Sequence, residues 1–152
     1  MRWSVSKGDL AAVAGDLVVV PVAARDGKPQ LRALRAEGAP FADIADLARR
    51  AGFTGESAAT LPIHRTDVKA GWVLLVGVGP DDRLSLDSLR RAAAAAARQA
   101  RSMRASRVVA APLVAAGEFT GEAVARCWVE GAELALTPAG PSHLQPKKAI
   151  AP

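Results

Sequence analysis

The sequence predicts an α/β fold with an at least partly parallel sheet, and the segment from Gly71 to Leu113 carries most of that prediction. Trp72-Val73-Leu74-Leu75-Val76 is a continuous apolar run of strand length, the pattern of a strand covered on both faces. An alanine- and arginine-rich stretch from about Ser85 to Arg104 has helical periodicity, and Arg107-Val108-Val109-Ala110-Ala111 reads as a further strand ended by Pro112. Strand, crossover helix and strand make a right-handed βαβ unit, which requires parallel strands.

Upstream, a short strand is expected near Trp3–Ser6. Asp16-Leu17-Val18-Val19-Val20-Pro21-Val22 is another buried-type strand, entered through Gly15. Lys28-Pro29 is expected in a polar turn. Phe41, Ile44, Leu47, Ala48 and Ala51 fall at helical spacing and predict a helix from about Pro40 to Arg50, stopped by Gly52. Ala58 to His64 reads as a strand, and Pro62, lacking a ladder donor, assigns it to an edge or a bend.

Gly77-Val78-Gly79-Pro80-Asp81-Asp82 is expected to break the chain in a tight turn before the long helix. Ser85 is the expected N-cap of that helix, with Asp87 in its first turn complementing the dipole. At about 100° per residue, Leu86, Leu89, Ala93, Ala96, Ala100 and Met103 gather on one side. Arg90, Arg91, Arg98, Arg101 and Arg104 fill a separate arc of roughly 140° by the same geometry. A last helix is expected from Thr120 to Leu136, with Thr120 as N-cap and Glu122 beside its start. Beyond it Pro138, Pro141, Pro146 and Pro152 fall among the final fifteen residues. Residues 1–137 therefore read as one domain and residues 138–152 as a proline-rich tail or linker.

At 152 residues the chain suits one domain, and with hydrophobic residues at 50% but aromatics at 4% its core must be Val, Leu and Ala. The single cysteine, Cys127, excludes an internal disulfide and a multi-cysteine zinc site, and its helical setting predicts a buried thiol without chemistry. The start of the chain has no apolar h-region and no segment approaches the roughly 20 apolar residues of a membrane span, so a soluble, cytoplasmic protein with no membrane partner is expected. The net charge of +5 permits an acidic partner without requiring one.

Taken in order, several segments resemble the N-terminal domain of the leucyl aminopeptidase (cytosol aminopeptidase) family. They are Gly8-Asp9-Leu10, Gly15-Asp16-Leu17-Val18-Val19-Val20-Pro21-Val22, Phe53-Thr54-Gly55-Glu56 and Val73-Leu74-Leu75-Val76-Gly77-Val78-Gly79. Leu84-Ser85-Leu86-Asp87-Ser88-Leu89-Arg90-Arg91-Ala92 follows, and Ala125-Arg126 with Glu130-Gly131-Ala132 matches the family's helix before its linker. The resemblance covers residues 4 to 136, and the order and spacing of the segments carry it. It implies a three-layer α/β/α sandwich, similar to macro domains, with a mixed, mostly parallel sheet. It also implies a domain without catalytic residues, since the family's two-metal site lies in a separate C-terminal domain with Lys, Asp and Glu ligands. Nothing like that site's Asn-Thr-Asp-Ala-Glu-Gly-Arg motif occurs here, and Leu136-Thr137-Pro138-Ala139-Gly140 departs from the family's continuation. The expectation is a non-catalytic accessory domain for assembly or regulation of a metallo-aminopeptidase. Its expected partners are an aminopeptidase catalytic subunit or further copies of itself, with no cofactor of its own.

Two alternatives remain open at this point. The first is a nucleotide- or ADP-ribose-type ligand in a macro-like cleft at Asp9, Gly77, Gly79 and Arg83. Against it, Asp82 stands where a dinucleotide fingerprint needs its third glycine, Asp81 and Asp82 oppose a pyrophosphate, and the chain has no Asn for the macro-type loop. Asp9 then reads as a turn or capping residue. The second is nucleic acid, or a subunit contact, on the arc of Arg90, Arg91, Arg98, Arg101 and Arg104; without interleaved aromatics, nucleic acid is the less favoured of the two. His64 and His143 have no second ligand at helical spacing, so neither predicts a metal site.

Overall fold

In the computed structural model, the described residues are 9–31, 41–111 and 119–137. Among them are five strands, β1 (Leu17–Arg25), β2 (Lys28–Leu31), β3 (Thr60–His64), β4 (Trp72–Pro80) and β5 (Val108–Ala110). Three α-helices accompany them, α1 (Ile44–Arg50), α2 (Leu86–Ser102) and α3 (Gly121–Leu136). The sequence readings at Trp3–Ser6, Pro112 and 138–152 lie outside the described residues.

The sheet is mixed. β1 runs parallel to β4 on one side and to β5 on the other, β2 extends the β5 side as an antiparallel partner of β1, and β3 is antiparallel to β4. The predicted βαβ unit is present as β4, α2 and β5, but α2 crosses over β1, which lies between the two strands. β3 is an edge strand, as Pro62 requires.

Alternation along the two central strands makes the layers. Leu17, Val19, Leu74, Val76 and Val78 face α2 and α3, packing against Leu89, Ala92, Ala96, Val124, Cys127 and Trp128. Val18, Val20, Val22, Val73 and Leu75 face the other way, onto Phe41, Ile44, Ala48 and Phe53. The result is an α/β/α sandwich with every described side chain of its core apolar. Cys127 is buried in the α2–α3 face.

Local chemistry explains three of the helix ends. Ser85 and Ser88 cap α2 reciprocally, each hydroxyl accepting from the other's backbone N–H at 3.0 and 2.9 Å. Thr120 Oγ1 accepts from Ala123 N at 3.1 Å and starts α3. After α1, Gly52 adopts φ +77° and Phe53 N donates to Ala48 O at 2.9 Å, the left-handed stop expected of that glycine.

Three readings are corrected. Lys28-Pro29 is not a turn but the start of β2; the turn is Asp26-Gly27, with φ +52° and +71°, the conformation that a two-residue hairpin favours. Gly77 and Gly79 do not break the chain, because β4 runs through them to Pro80, with Val78 as a bulge between the Val22–Gly77 and Ala23–Gly79 pairs. α1 begins at Ile44 rather than near Pro40, with Phe41–Asp43 in a turn that still buries Phe41.

Candidate functional site

In open α/β sheets ligands bind beyond the C-terminal ends of parallel strands. Here that end of β4 is crossed by the segment Gly55–Ala59. Gly79 N donates to Gly55 O at 3.0 Å, Ala58 N to Gly77 O at 3.0 Å, and Gly77 N to Ala59 O at 2.8 Å. A Cβ on Gly77 would stand 1.8 Å from Glu56 O, and one on Gly55 2.7 Å from the carbonyl carbon of Ala23. Both glycine N–H groups that a phosphate would need are therefore bonded to carbonyls. Arg83 is exposed at the end of the 3-10 turn Asp81–Arg83 that follows β4.

Asp9 is not gathered with them. Its Oδ1 accepts from Ala11 N at 3.0 Å and its carbonyl from Ala12 N at 3.1 Å, a side-chain and main-chain turn. Lys69 N donates to Ala11 O at 2.7 Å, which ties this turn to the loop entering β4, away from the Gly79 end.

The arginines of α2 divide into two groups. Arg90 Nε donates to Glu130 Oε2 of α3 at 2.8 Å, and this bond raises the guanidinium pKa above its ordinary value. Arg91 pairs with Asp87 one turn earlier at 2.9 Å. Arg98 and Arg101 are exposed on α2. Arg104 lies past the end of the helix with φ +57°, so it leaves the arc that a continuous helix would give it.

Among the described residues, the opposite end of the sheet carries a cleft. A cleft of about 530 Å³ lies between the start of β4 and the chain leaving α2, with Pro62, Ala70, Trp72 and Met103 as apolar walls and Asp16 and Arg104 as its charged groups. Trp72 is 39% exposed and is steadied by His64, its cross-strand partner, with ring centroids 5.0 Å apart at 68°. Asp16 Oδ2 accepts from Arg107 N at 2.9 Å and Ser106 N at 2.8 Å. These two N–H groups, Arg107's first, hold the Asp16 carboxyl below its ordinary pKa. Arg104 is held by Arg104 N to Arg101 O and Ala105 N to Ala100 O, each 3.0 Å, a left-handed helix stop of the kind usually given to glycine. Sequence reasoning missed this site, because its residues come from four separate stretches with no shared motif.

Among the described residues no group of three or more His, Cys, Asp and Glu side chains is placed to hold a metal ion, and no helix is long and apolar enough to cross a membrane. His143 lies outside the described residues.

The family described as cytosol aminopeptidase family, N-terminal domain, matches residues 19–137. Among solved structures, the bottromycin maturation enzyme BotP is similar at 25% identity and TM-score 0.61, over 83% of this chain and 24% of that one. The same enzyme in complex with Mn is similar at 26% identity and TM-score 0.58, with the same coverage. The chain thus spans about a quarter of the length of these relatives. No curated protein sequence matches it.

Proposed function

The chain belongs to the cytosol aminopeptidase family, of which it carries the N-terminal domain, and on that premise we propose a non-catalytic accessory role in the assembly or regulation of a cytoplasmic metallo-aminopeptidase. The observation that carries this reading is the closed end of the sheet. Where an α/β domain would open a crevice, the main chains of Gly77 and Glu56 are in contact. A domain built this way offers surfaces rather than a reaction chamber. Its partner is the metal-bearing part of an aminopeptidase, joined to it or separate, or further copies of itself.

The alternatives have less support. A nucleotide at Gly77, Gly79 and Arg83 would have to displace three main-chain hydrogen bonds. A polyanion on α2 meets Arg90 and Arg91 already paired with carboxylates.

The test is recovery of the tagged protein from its own cells, followed by mass spectrometry and sizing. The expected result is a metallo-aminopeptidase catalytic domain at fixed stoichiometry, with peptidase activity that changes when the accessory domain is removed. A lone monomer that leaves aminopeptidase activity untouched would overturn the proposal.

A further inference from the structure

We propose that the open cleft at the start of β4 binds a small zwitterion with an apolar side chain, of the α-amino acid or short-peptide class. The proposal goes beyond the accessory role and does not depend on it, because it rests only on what the cleft presents.

It presents one carboxylate, one guanidinium and apolar walls. Asp16 is anchored through Oδ2 alone, and its Oδ1 makes no hydrogen bond with the described residues, so an acceptor of fixed charge is available to an ammonium group. Arg104 has no carboxylate partner among the described residues, and its guanidinium matches a ligand carboxylate. In the same cleft Trp72 presents a half-exposed indole held by His64, Met103 a deformable thioether, and Pro62 a rigid ring at the sheet edge. The space of about 530 Å³ suits one or two residues of a peptide and lies within the ordinary range for small-ligand sites.

The same groups argue against other ligands. A phosphate-rich ligand would face the Asp16 carboxylate, which is held ionised by two backbone N–H groups. A simple cation would face Arg104. A neutral apolar molecule would use neither the free Asp16 oxygen nor the Arg104 guanidinium. A ligand carrying one charge of each sign satisfies all of these constraints.

The left-handed backbone at Arg104 adds a second line of support. Glycine is favoured at such a helix stop, yet an arginine occupies it and turns out of the α2 face to line the cleft.

The experiment is an NMR titration of the full 152-residue chain, following the Trp72 indole N–H, assigned with Trp72→Phe among the three tryptophans. The probes are L-leucine, L-leucyl-L-leucine, N-acetyl-L-leucine and L-leucinamide. Expected is a saturable Trp72 shift at millimolar L-leucine or dipeptide, and whichever saturates first identifies the source. The two probes lacking one charge should bind at least about tenfold more weakly, the scale of one charge-assisted hydrogen bond. Arg104→Gly should weaken the zwitterion about tenfold without unfolding the protein, since glycine suits this backbone. Asp16→Asn keeps acceptors for Ser106 and Arg107 and should erase the preference for L-leucine over N-acetyl-L-leucine. Absence of a saturable shift, equal response to all four probes, or unchanged affinity in Arg104→Gly would each overturn the proposal.

Discussion

The backbone of Gly77 lies against Glu56 so closely that a Cβ at position 77 would stand 1.8 Å from the Glu56 carbonyl oxygen and 2.8 Å from the carbonyl carbon of Gly55. No side-chain rotation relieves such a contact, because both partners are main chain. Gly77→Ala should therefore push the Gly55–Ala59 segment off β4 and break its hydrogen bonds to Gly77 and Gly79. The expected loss is about 3 kcal/mol or more, read by chemical denaturation. A loss below about 1 kcal/mol would mean that the crossing segment is only loosely seated.

A second close approach joins the two helices. A Cβ on Gly131 would lie 2.3 Å from the Arg90 carbonyl oxygen and 3.0 Å from the Ala93 Cβ. Alanine normally favours a helix over glycine, so propensity alone would make Gly131→Ala stabilising by about 1 kcal/mol. Overpacking should win here, because α3 must move away from α2 as a body. The expected net loss is about 1–2 kcal/mol, accompanied by greater accessibility of the Cys127 thiol to a maleimide. A stabilised variant would show that α3 does not sit this near α2.

Arg65, in the loop after β3, ties that loop to the start of α1. Its Nη1 reaches both oxygens of Asp43 at 3.0 Å, and its Nε and Nη2 grip Asp67 at 2.9 and 2.7 Å. The guanidinium pKa is raised by Asp67 first and then Asp43, so the arginine is charged at every working pH. Its side chain is only 14% exposed, but the carboxylates are 57% and 48% exposed and regain water readily when it is lost. Arg65→Ala should therefore cost about 1–2 kcal/mol, measured as a lower denaturation midpoint. Arg65→Lys should recover little of it, since an ammonium cannot serve two carboxylates through a planar fork.

Particular residues show why the layers were legible in the sequence and the cleft was not. The runs at Leu17–Val22 and Trp72–Val76 encode strands buried on both faces, and Ser85, Thr120 and Gly52 mark helix ends through purely local chemistry. Gly77 and Gly79 misled as turn residues, because Gly77 admits a close backbone approach from a segment some twenty residues earlier and Gly79 supplies a φ of +88° next to the bulge. That contact leaves no local trace. The hairpin at Asp26-Gly27 did carry a signal, an Asp-Gly pair beside a strand, which Lys28-Pro29 obscured. Position in space alone brings Asp16, Pro62, Trp72 and Arg104 together, and the left-handed turn at Arg104 is what removes it from the helical arc.

Acid should weaken the fold in a way that identifies Asp16 and Asp67. The native pKa of Asp16 is lowered by the Arg107 and Ser106 N–H groups, and that of Asp67 chiefly by Arg65. A carboxyl with a lowered native pKa binds protons more weakly folded than unfolded. Its stabilising contribution is therefore complete above the unfolded value of about 4 and is lost as pH falls through the native value. Thermal melts between neutral pH and about pH 2 should show the wild type losing stability below about pH 4 more steeply than Asp16→Asn or Asp67→Asn. Parallel curves for the variants and the wild type would remove both groups from the acid transition.

Arg104 offers a separate measure of what its backbone costs. With φ +57° its Cβ crowds the following carbonyl, a penalty of about 1 kcal/mol that glycine does not carry. Arg104→Gly should therefore raise the stability of the free protein by up to about 1 kcal/mol, even as it removes a charged group from the cleft. Arg104→Ala is the control. It removes the same guanidinium, and any repulsion from Arg101 and Arg107, while keeping the Cβ in the left-handed region. If the backbone is the cause, the melting temperature rises by a few degrees for glycine and stays near the wild type for alanine. Equal rises in both variants would assign the cost to charge repulsion instead. A drop in the glycine variant would mean that the arginine side chain contributes more to the fold than its conformation costs.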